Sequence, residues 1–201
     1  MRSSYLHIDS STITDNRAGN SGGGLIAYTS DVKISNSTIS DNLAYVANGS
    51  GMVMTLINNP ILLNSTIQDD IEVVLGGPVL QRLSLQNTII NGSCQGGDSF
   101  IDNGGNIFLN GSCNGNADGD PGLRPLANNG GPTPTHALSE DSIARGAGDA
   151  TTCTVLDQRG FIRDEGDNAC DAGSFEFLPR DVPANFFSIP LSDGTVITIP
   201  L

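Results

Sequence analysis

A short polar motif recurs along the first half of the chain. Its copies are Ser11-Thr12-Ile13-Thr14-Asp15-Asn16, Ser37-Thr38-Ile39-Ser40-Asp41-Asn42, Ser65-Thr66-Ile67-Gln68-Asp69-Asp70 and Asn87-Thr88-Ile89-Ile90-Asn91-Gly92. Thr12 to Thr38 is 26 residues, Thr38 to Thr66 is 28 and Thr66 to Thr88 is 22. Self-similarity at about 20 to 30 residues is the mark of a solenoid, whose units cannot bury a core alone and share one by stacking. The regular Leu spacing of a leucine-rich repeat is absent. So is any stretch that keeps apolar residues at helical spacing without Gly, Pro or Asn interrupting it.

Each unit reads as three short strands separated by turns, as in Val32-Lys33-Ile34, Ser37-Thr38-Ile39-Ser40 and Gly51-Met52-Val53-Met54. That is the coil of an all-β, right-handed parallel β-helix, and residues 1–118 predict about four or five such coils. One isoleucine per polar octet is then enough, because neighbouring coils cover it. Ile13, Ile39, Ile67 and Ile89 are expected to stack inward as one ladder, and Ile8, Ile34, Leu63 and Leu85 as a second. The step from second ladder to first is five residues in two coils and four in the next two, which implies a turn that loses one residue. The Asn and Asp at the motif ends fit turns that need left-handed backbone.

Composition limits the partners. The formal net charge is −13 with only 9 Lys and Arg, which argues against nucleic acid. No run approaches the roughly 18 apolar residues of a membrane helix. No signal peptide is visible at Met1-Arg2-Ser3-Ser4, yet four Cys lie in Gly/Asn/Asp-rich loops, as in proteins of oxidising compartments. The two observations are reconciled if the chain is the C-terminal part of a longer secreted protein. Five Asn-x-Ser/Thr sequons, at Asn36, Asn48, Asn64, Asn91 and Asn110, are matches that an Asn/Ser/Thr-rich repeat produces by composition.

The second half has a different texture. Its elements include Asp120-Pro121, Asn129-Gly130-Gly131-Pro132-Thr133, Thr135-His136-Ala137-Leu138, Gly146-Ala147-Gly148-Asp149, Asp157-Gln158-Arg159-Gly160 and Cys170-Asp171-Ala172-Gly173 with Phe175-Glu176. This run closely resembles the C-terminal cap of bacterial secreted β-helix proteins of the choice-of-anchor Q family. That family is pectin-lyase-like and similar to polymorphic outer-membrane proteins. With the upstream coils and Gly22-Gly23-Gly24-Leu25, the resemblance spans roughly residues 5 to 177. It implies a solenoid cap at 119–177, an extracellular or cell-surface location, and further coils upstream. Residues 178–201 form a tail in which Phe187 to Leu191 and Thr195 to Ile199 alternate apolar and polar residues around Ser192-Asp193-Gly194, a hairpin pattern. In an extracellular context, local pairing predicts the disulfides Cys94–Cys113 and Cys153–Cys170. Four cysteines allow three pairings, and a zinc site would want Cys-x-x-Cys pairs.

Candidate chemistry is sparse. Asp69-Asp70 superficially resembles the paired aspartates of polygalacturonase-type hydrolases, but the Gly-His-Gly and Arg-Ile-Lys companions are missing. A turn role is favoured. Asn116, Asp118 and Asp120 offer oxygen ligands at alternate positions, the outline of a calcium site, with Pro121 following at once. His7 and His136, the two histidines, have no metal-spaced partner. Asp157 and Arg159 read as a structural ion pair or as ligands of backbone groups. Two functions of different class follow. One is a non-catalytic structural or adhesive module that binds glycan or a surface protein. The other is a fragment of a polysaccharide lyase or glycoside hydrolase. The Ser, Thr, Asn and Gln of the repeat, taken as exposed, resemble a binding face.

Overall fold

The computed structural model describes residues 4–28, 30–46, 49–56, 60–75, 82–109, 111, 113, 118–163, 169–178, 186–190 and 196–200. Within them the protein is all-β, with a single 3-10 turn at Gly97–Ser99, three larger sheets of exclusively parallel strands and a two-stranded parallel pair, Arg17–Ala18 with Leu43–Ala44. The first sheet runs Ser4–Asp9, Ser30–Ser35, Ile61–Leu63, Leu83–Gln86, Phe100–Asp102. The second runs Thr12–Thr14, Thr38–Ser40, Thr66–Ile67, Ile89–Ile90, Ile107–Phe108. The third runs Leu25–Tyr28, Met52–Leu56, Ile71–Leu75, Cys94–Gln95. The chain visits the sheets in order and returns to the first one strand further along, so each circuit lies on the one before it.

One apolar column fills the space between the sheets. The first sheet contributes the rung Ile8, Ile34, Leu62, Leu85. The second contributes Ile13, Ile39, Ile67, Ile90, Phe108. The third contributes Leu25, Met52, Ile71, Cys94. All but the outermost of these are buried in a single cluster, and Ile8, Ile13 and Leu25 of the first circuit pack on it partly buried.

Two sequence expectations are corrected here. Ile89 is not on the inner ladder; Ile90 holds that rung, and Ile89 pairs with Thr66 on the outward face. Leu63 likewise faces away, in register with Ser35, and Leu62 is the inner residue. Side chains alternate across a strand, so a one-residue slip moves a residue to the other face. The fourth copy, Asn-Thr-Ile, lacks one residue of Asn-Ser-Thr-Ile, so aligned letters put Ile89 where Ile90 belongs. The backbone supplies the better anchor. Ser10, Asn36, Asn64 and Asn87 all sit at positive φ, between 44° and 49°, and the inner residue of the second sheet follows three positions later in each circuit. The step between ladders is five residues throughout, and the turn loses nothing.

That turn explains the hydroxyl after each left-handed residue. Ser11 N–H donates to Ser37 Oγ, Ser37 N–H to Ser65 Oγ, Ser65 N–H to Thr88 Oγ1 and Thr88 N–H to Asn106 Oδ1. Each hydroxyl donates in turn to the carbonyl two residues back. Amides turned out of the sheet ladders thus find partners, as buried backbone groups must. A second polar file stacks Asn16 on Asn42 and Asn42 on Asp69, through Nδ2 bonds of 3.0 and 2.8 Å.

The described residues of segment 119–177 lie lengthwise along the outer face of the second sheet, touching four successive circuits through Thr12, Thr38, Thr66 and Ile89. It covers a flank of the stacked circuits. A second apolar cluster forms there from Ile89, Ile107, Leu138, Ala144, Ala172 and Phe175. The second sheet is therefore covered on both faces, as parallel sheets generally are. Among its described residues the segment pairs Leu123–Ala127 antiparallel with Thr135–Leu138, and Leu156 bridges Ile162 antiparallel. In the tail, Phe186–Pro190 pairs antiparallel with Val196–Pro200; the expected Ser192-Asp193-Gly194 turn lies outside the described residues.

Candidate functional site

The polar face of the repeat, expected to be exposed, is the surface on which the flanking segment docks. Ser37, Thr38, Ser65, Thr66, Asn87 and Thr88 are buried. Gln158 sits at the centre with about 1 % of its surface exposed. Its Oε1 accepts from Thr38 Oγ1 at 2.7 Å, and its Nε2 lies 2.8 Å from Thr12 Oγ1 and 2.9 Å from Thr133 Oγ1. Ser174 N–H donates to Thr66 Oγ1. The turn asparagines form a rail beside this row. Asn36 Oδ1 accepts from Thr154 Oγ1, Asn64 Oδ1 from Thr154 N–H, and Asn87 Oδ1 from Asp149 N–H. Asn36 and Asn64 are therefore buried sequons, closed to a glycan in the folded chain. Asn91 is half-buried, and Asn48 and Asn110 lie outside the described residues.

The docked segment is held in shape by a buried charged network. Asp157 Oδ2 lies 2.7 Å from Arg159, and the same carboxylate accepts from the N–H groups of Arg159, Phe161 and Glu176. Asp157 and Arg159 thus act as ion pair and backbone ligand at once. The Arg159 guanidinium also stacks on Phe175, 3.6 Å from the ring centre. Arg163, unremarked in the sequence, lies 3.1 Å from Glu176 and donates to Gly173 O. Burial depresses the pKa of both arginines, opposed chiefly by Asp157 for Arg159 and by Glu176 for Arg163. Burial raises that of Asp171, against the N–H bonds from Phe177 and Gly146. Gln158, Asp171 and Glu176 stand in the quoted motifs, but nothing in their spacing marks their buried roles; Arg163 stands in none, and its partners Asn36, Asp171, Gly173 and Glu176 are reached only through the fold.

The other candidates are dispersed. Asp69 accepts from Asn42 N–H and Nδ2, and Asp70 from Ser93 N–H and Oγ. Burial pushes the Asp69 pKa up, opposed mainly by the Asn42 bonds. The pair is built into turns. Asp118 pairs its backbone and carboxylate with Phe108, Asp120 accepts from Gly122 N–H, and Asn116 lies outside the described residues. Among the described residues no three His, Cys, Asp or Glu side chains gather to hold a metal. Disulfides join Cys94 to Cys113 and Cys153 to Cys170. The second anchors a segment whose Cys153 Sγ also meets Asn64 and Asn87.

His7 stands on the outer face of the first sheet, where the fold assembles a group the sequence did not suggest. His7 Nε2 is 3.3 Å from Ser35 Oγ, Ser35 Oγ donates to Asp9 at 2.5 Å, and Tyr5 meets the His7 ring edge-on. A nucleophilic relay would need His7 to take the serine proton with a carboxylate on its other nitrogen. Here Asp9 accepts that proton's hydrogen bond directly, so the group is an array of donors and acceptors beside an exposed aromatic ring.

Two grooves border the docked segment. One, of about 410 Å³, runs between Asp9-Ser10 and the loop Thr154 to Gly160. The other, of about 450 Å³, lies between Asp41, Gln68 and Asn91 and the strand Leu123–Ala127. His136 closes its base, with Nδ1 2.7 Å from Arg124 O and Nε2 2.8 Å from Ser40 Oγ. No described helix is long and apolar enough to cross a membrane. No family model, curated protein or solved structure matches the chain.

Proposed function

We propose that the stacked circuits are a right-handed parallel β-helix and that the chain is a non-catalytic module of a secreted or cell-surface protein, structural or adhesive, binding glycan or protein. On the residues quoted above it would belong with the choice-of-anchor Q proteins, with further coils upstream. The observation that carries the non-catalytic reading is the engagement of the candidate acids by the chain's own backbone. Asp69, Asp70, Asp157 and Asp171 each accept hydrogen bonds from the chain's own amides. A lyase or hydrolase needs a proton-transfer group within reach of its target and a second charge for the transition state. Two disulfides favour an oxidising compartment. With the repeat face covered, binding falls to the outer face of the first sheet and to the two grooves.

The test is incubation with pectin, alginate and other acidic polysaccharides, with and without calcium. No unsaturated product and no new reducing end is expected. Product formation abolished by Asp69→Asn or Asp70→Asn would replace this reading with the enzyme.

A further inference from the structure

We propose that Asn103-Gly104 is a self-modification site, at which Gly104 N attacks the Asn103 carboxamide with Asp102 as the base and converts position 103 to an aspartyl or isoaspartyl residue. Attack on an asparagine side chain by the next backbone nitrogen is open to any Asn-Gly pair, because glycine puts no Cβ in the way. Three such pairs lie wholly within the described residues: Asn91-Gly92, Asn103-Gly104 and Asn129-Gly130. The fold holds two of them still. Asn91 Nδ2 donates to Gln68 Oε1 at 2.9 Å, and Gly92 is pressed so closely on the third circuit that an added Cβ would strike the Asp69 carbonyl. Asn129 Nδ2 donates to Thr135 O at 2.7 Å and lies 3.1 Å from Thr135 Oγ1.

Asn103 differs in each respect. Both it and Gly104 are exposed, and among the described residues the Asn103 carboxamide has no hydrogen-bond partner. The space around Gly104 is open: a Cβ there would meet nothing within 4 Å. The attacking nitrogen is already engaged by a base. Gly104 N–H donates to Asp102 Oδ1 at 2.9 Å, within the reach that a general base needs. The carboxylate is fixed from its other side, because Asn106 Nδ2 donates to the same oxygen at 2.6 Å and to Leu85 O at 2.9 Å. Gly130 N–H makes the same turn onto Asn128 Oδ1 at 3.1 Å, but an amide oxygen is no base.

The step balances with water as the only outside reagent. The Gly104 N–H proton passes through Asp102 to Asn103 Nδ2 as the Gly104 N–Cγ bond forms and the Cγ–Nδ2 bond breaks, releasing ammonia. Water then opens the cyclic imide at either carbonyl. One opening gives an aspartyl residue. The other routes the main chain through the side-chain carbons and makes it one methylene longer. The turn has little room for that. Asn103 N–H donates to Leu85 O at 2.9 Å, Gly104 O accepts from Asn87 N–H at 3.1 Å, and Gly105 lies against Asn87 Oδ1. The extra methylene, about 1.5 Å of backbone, displaces Gly104 and Gly105 from Asn87, whose left-handed turn they support. The chain thus carries an ageing site whose product loosens its own repeat.

The experiment ages the intact chain in mildly alkaline buffer and maps it by peptide mass spectrometry, with isoaspartate methyltransferase labelling to separate the two products. The expected result is modification at position 103 at least about tenfold faster than at 91 or 129 while the chain is folded, and similar rates at all three positions in denaturant. Asp102→Asn keeps an acceptor for Gly104 N–H and removes the base, so it should slow position 103 about tenfold. Circular dichroism checks the folding of that variant, and the comparison of the three wild-type positions stands without it. Position 91 or 129 ageing as fast as 103 in the folded chain would overturn the site. An undiminished rate in folded Asp102→Asn would overturn the base. The isoaspartyl fraction should unfold at lower urea than fresh protein, and an unchanged midpoint would overturn the link to the Asn87 turn.

Discussion

Replacing Asn87 by glycine and by alanine separates its two roles. Asn87 is fully buried at φ 49°, accepts from Asp149 N–H at 2.7 Å and lies 3.1 Å from Thr152 Oγ1. Both variants lose these bonds, which costs about 1–3 kcal/mol if the orphaned groups stay dry. Only alanine then meets the left-handed penalty of about 1–2 kcal/mol, partly offset by the about 0.5–1 kcal/mol that glycine loses to chain entropy. Asn87→Ala should therefore unfold more easily than Asn87→Gly by about 0.5–1 kcal/mol, or roughly 2–4 °C in Tm per kcal/mol for a chain of this size. The order reverses the usual one, since alanine outranks glycine at ordinary strand or helix positions. Urea unfolding of the two variants measures it. Asn87→Ala proving the more stable would refute the left-handed turn as the anchor of the repeat.

Asp69→Asn keeps the acceptor for Asn42 and removes a charge that burial disfavours. A raised carboxylate pKa means the folded state holds its proton longer than the unfolded one, so this group's contribution falls as pH rises through that window. The variant should match or exceed the wild-type Tm at pH 7 and lose that part of the pH slope, read by melts from pH 4 to pH 8. Arg163→Met removes the cation paired with the buried Glu176 carboxylate and should cost about 3–5 kcal/mol by chemical denaturation, with recovery when Glu176→Gln is added. Replacing Cys153 and Cys170 together by serine opens a closed loop of 17 residues and should cost about 3 kcal/mol, measured the same way.

Much of the architecture was legible because the repeat carries it. Period, strand content, parallel sheets and the inner positions Ile13, Ile39, Ile67, Ile34 and Leu85 follow from isoleucine and leucine recurring among turn residues. Letter identity puts Ile89 and Leu63 on the inner ladders, whereas backbone geometry sets the register and gives those places to Ile90 and Leu62. The flank was harder to foresee. Ser and Thr in a repeat look solvent-exposed, and only the tertiary fold reveals Gln158, Thr133 and Ser174 waiting to pair with Thr12, Thr38 and Thr66. Asp157 and Arg159 were findable as a pair two residues apart. Arg163 and Glu176 are separated along the chain and meet only in the docked segment. The groove at Gln68 and Asn91 combines residues of three circuits with the strand Leu123–Ala127, a combination no local pattern encodes.

The central claim is that the polar face of the repeat is covered by residues 119–177. Thr38→Cys tests it most directly, because Thr38 has no exposed surface and the native cysteines among the described residues are all in disulfides, leaving one reactive thiol. The reference is Tyr45→Cys, on a residue 64 % exposed. With circular dichroism confirming that both variants are folded, the rate of reaction with a small thiol reagent should be fast at position 45. At position 38 it should be limited by unfolding, rising to the reference rate in denaturant. Equal rates at the two positions in the folded protein would contradict the account.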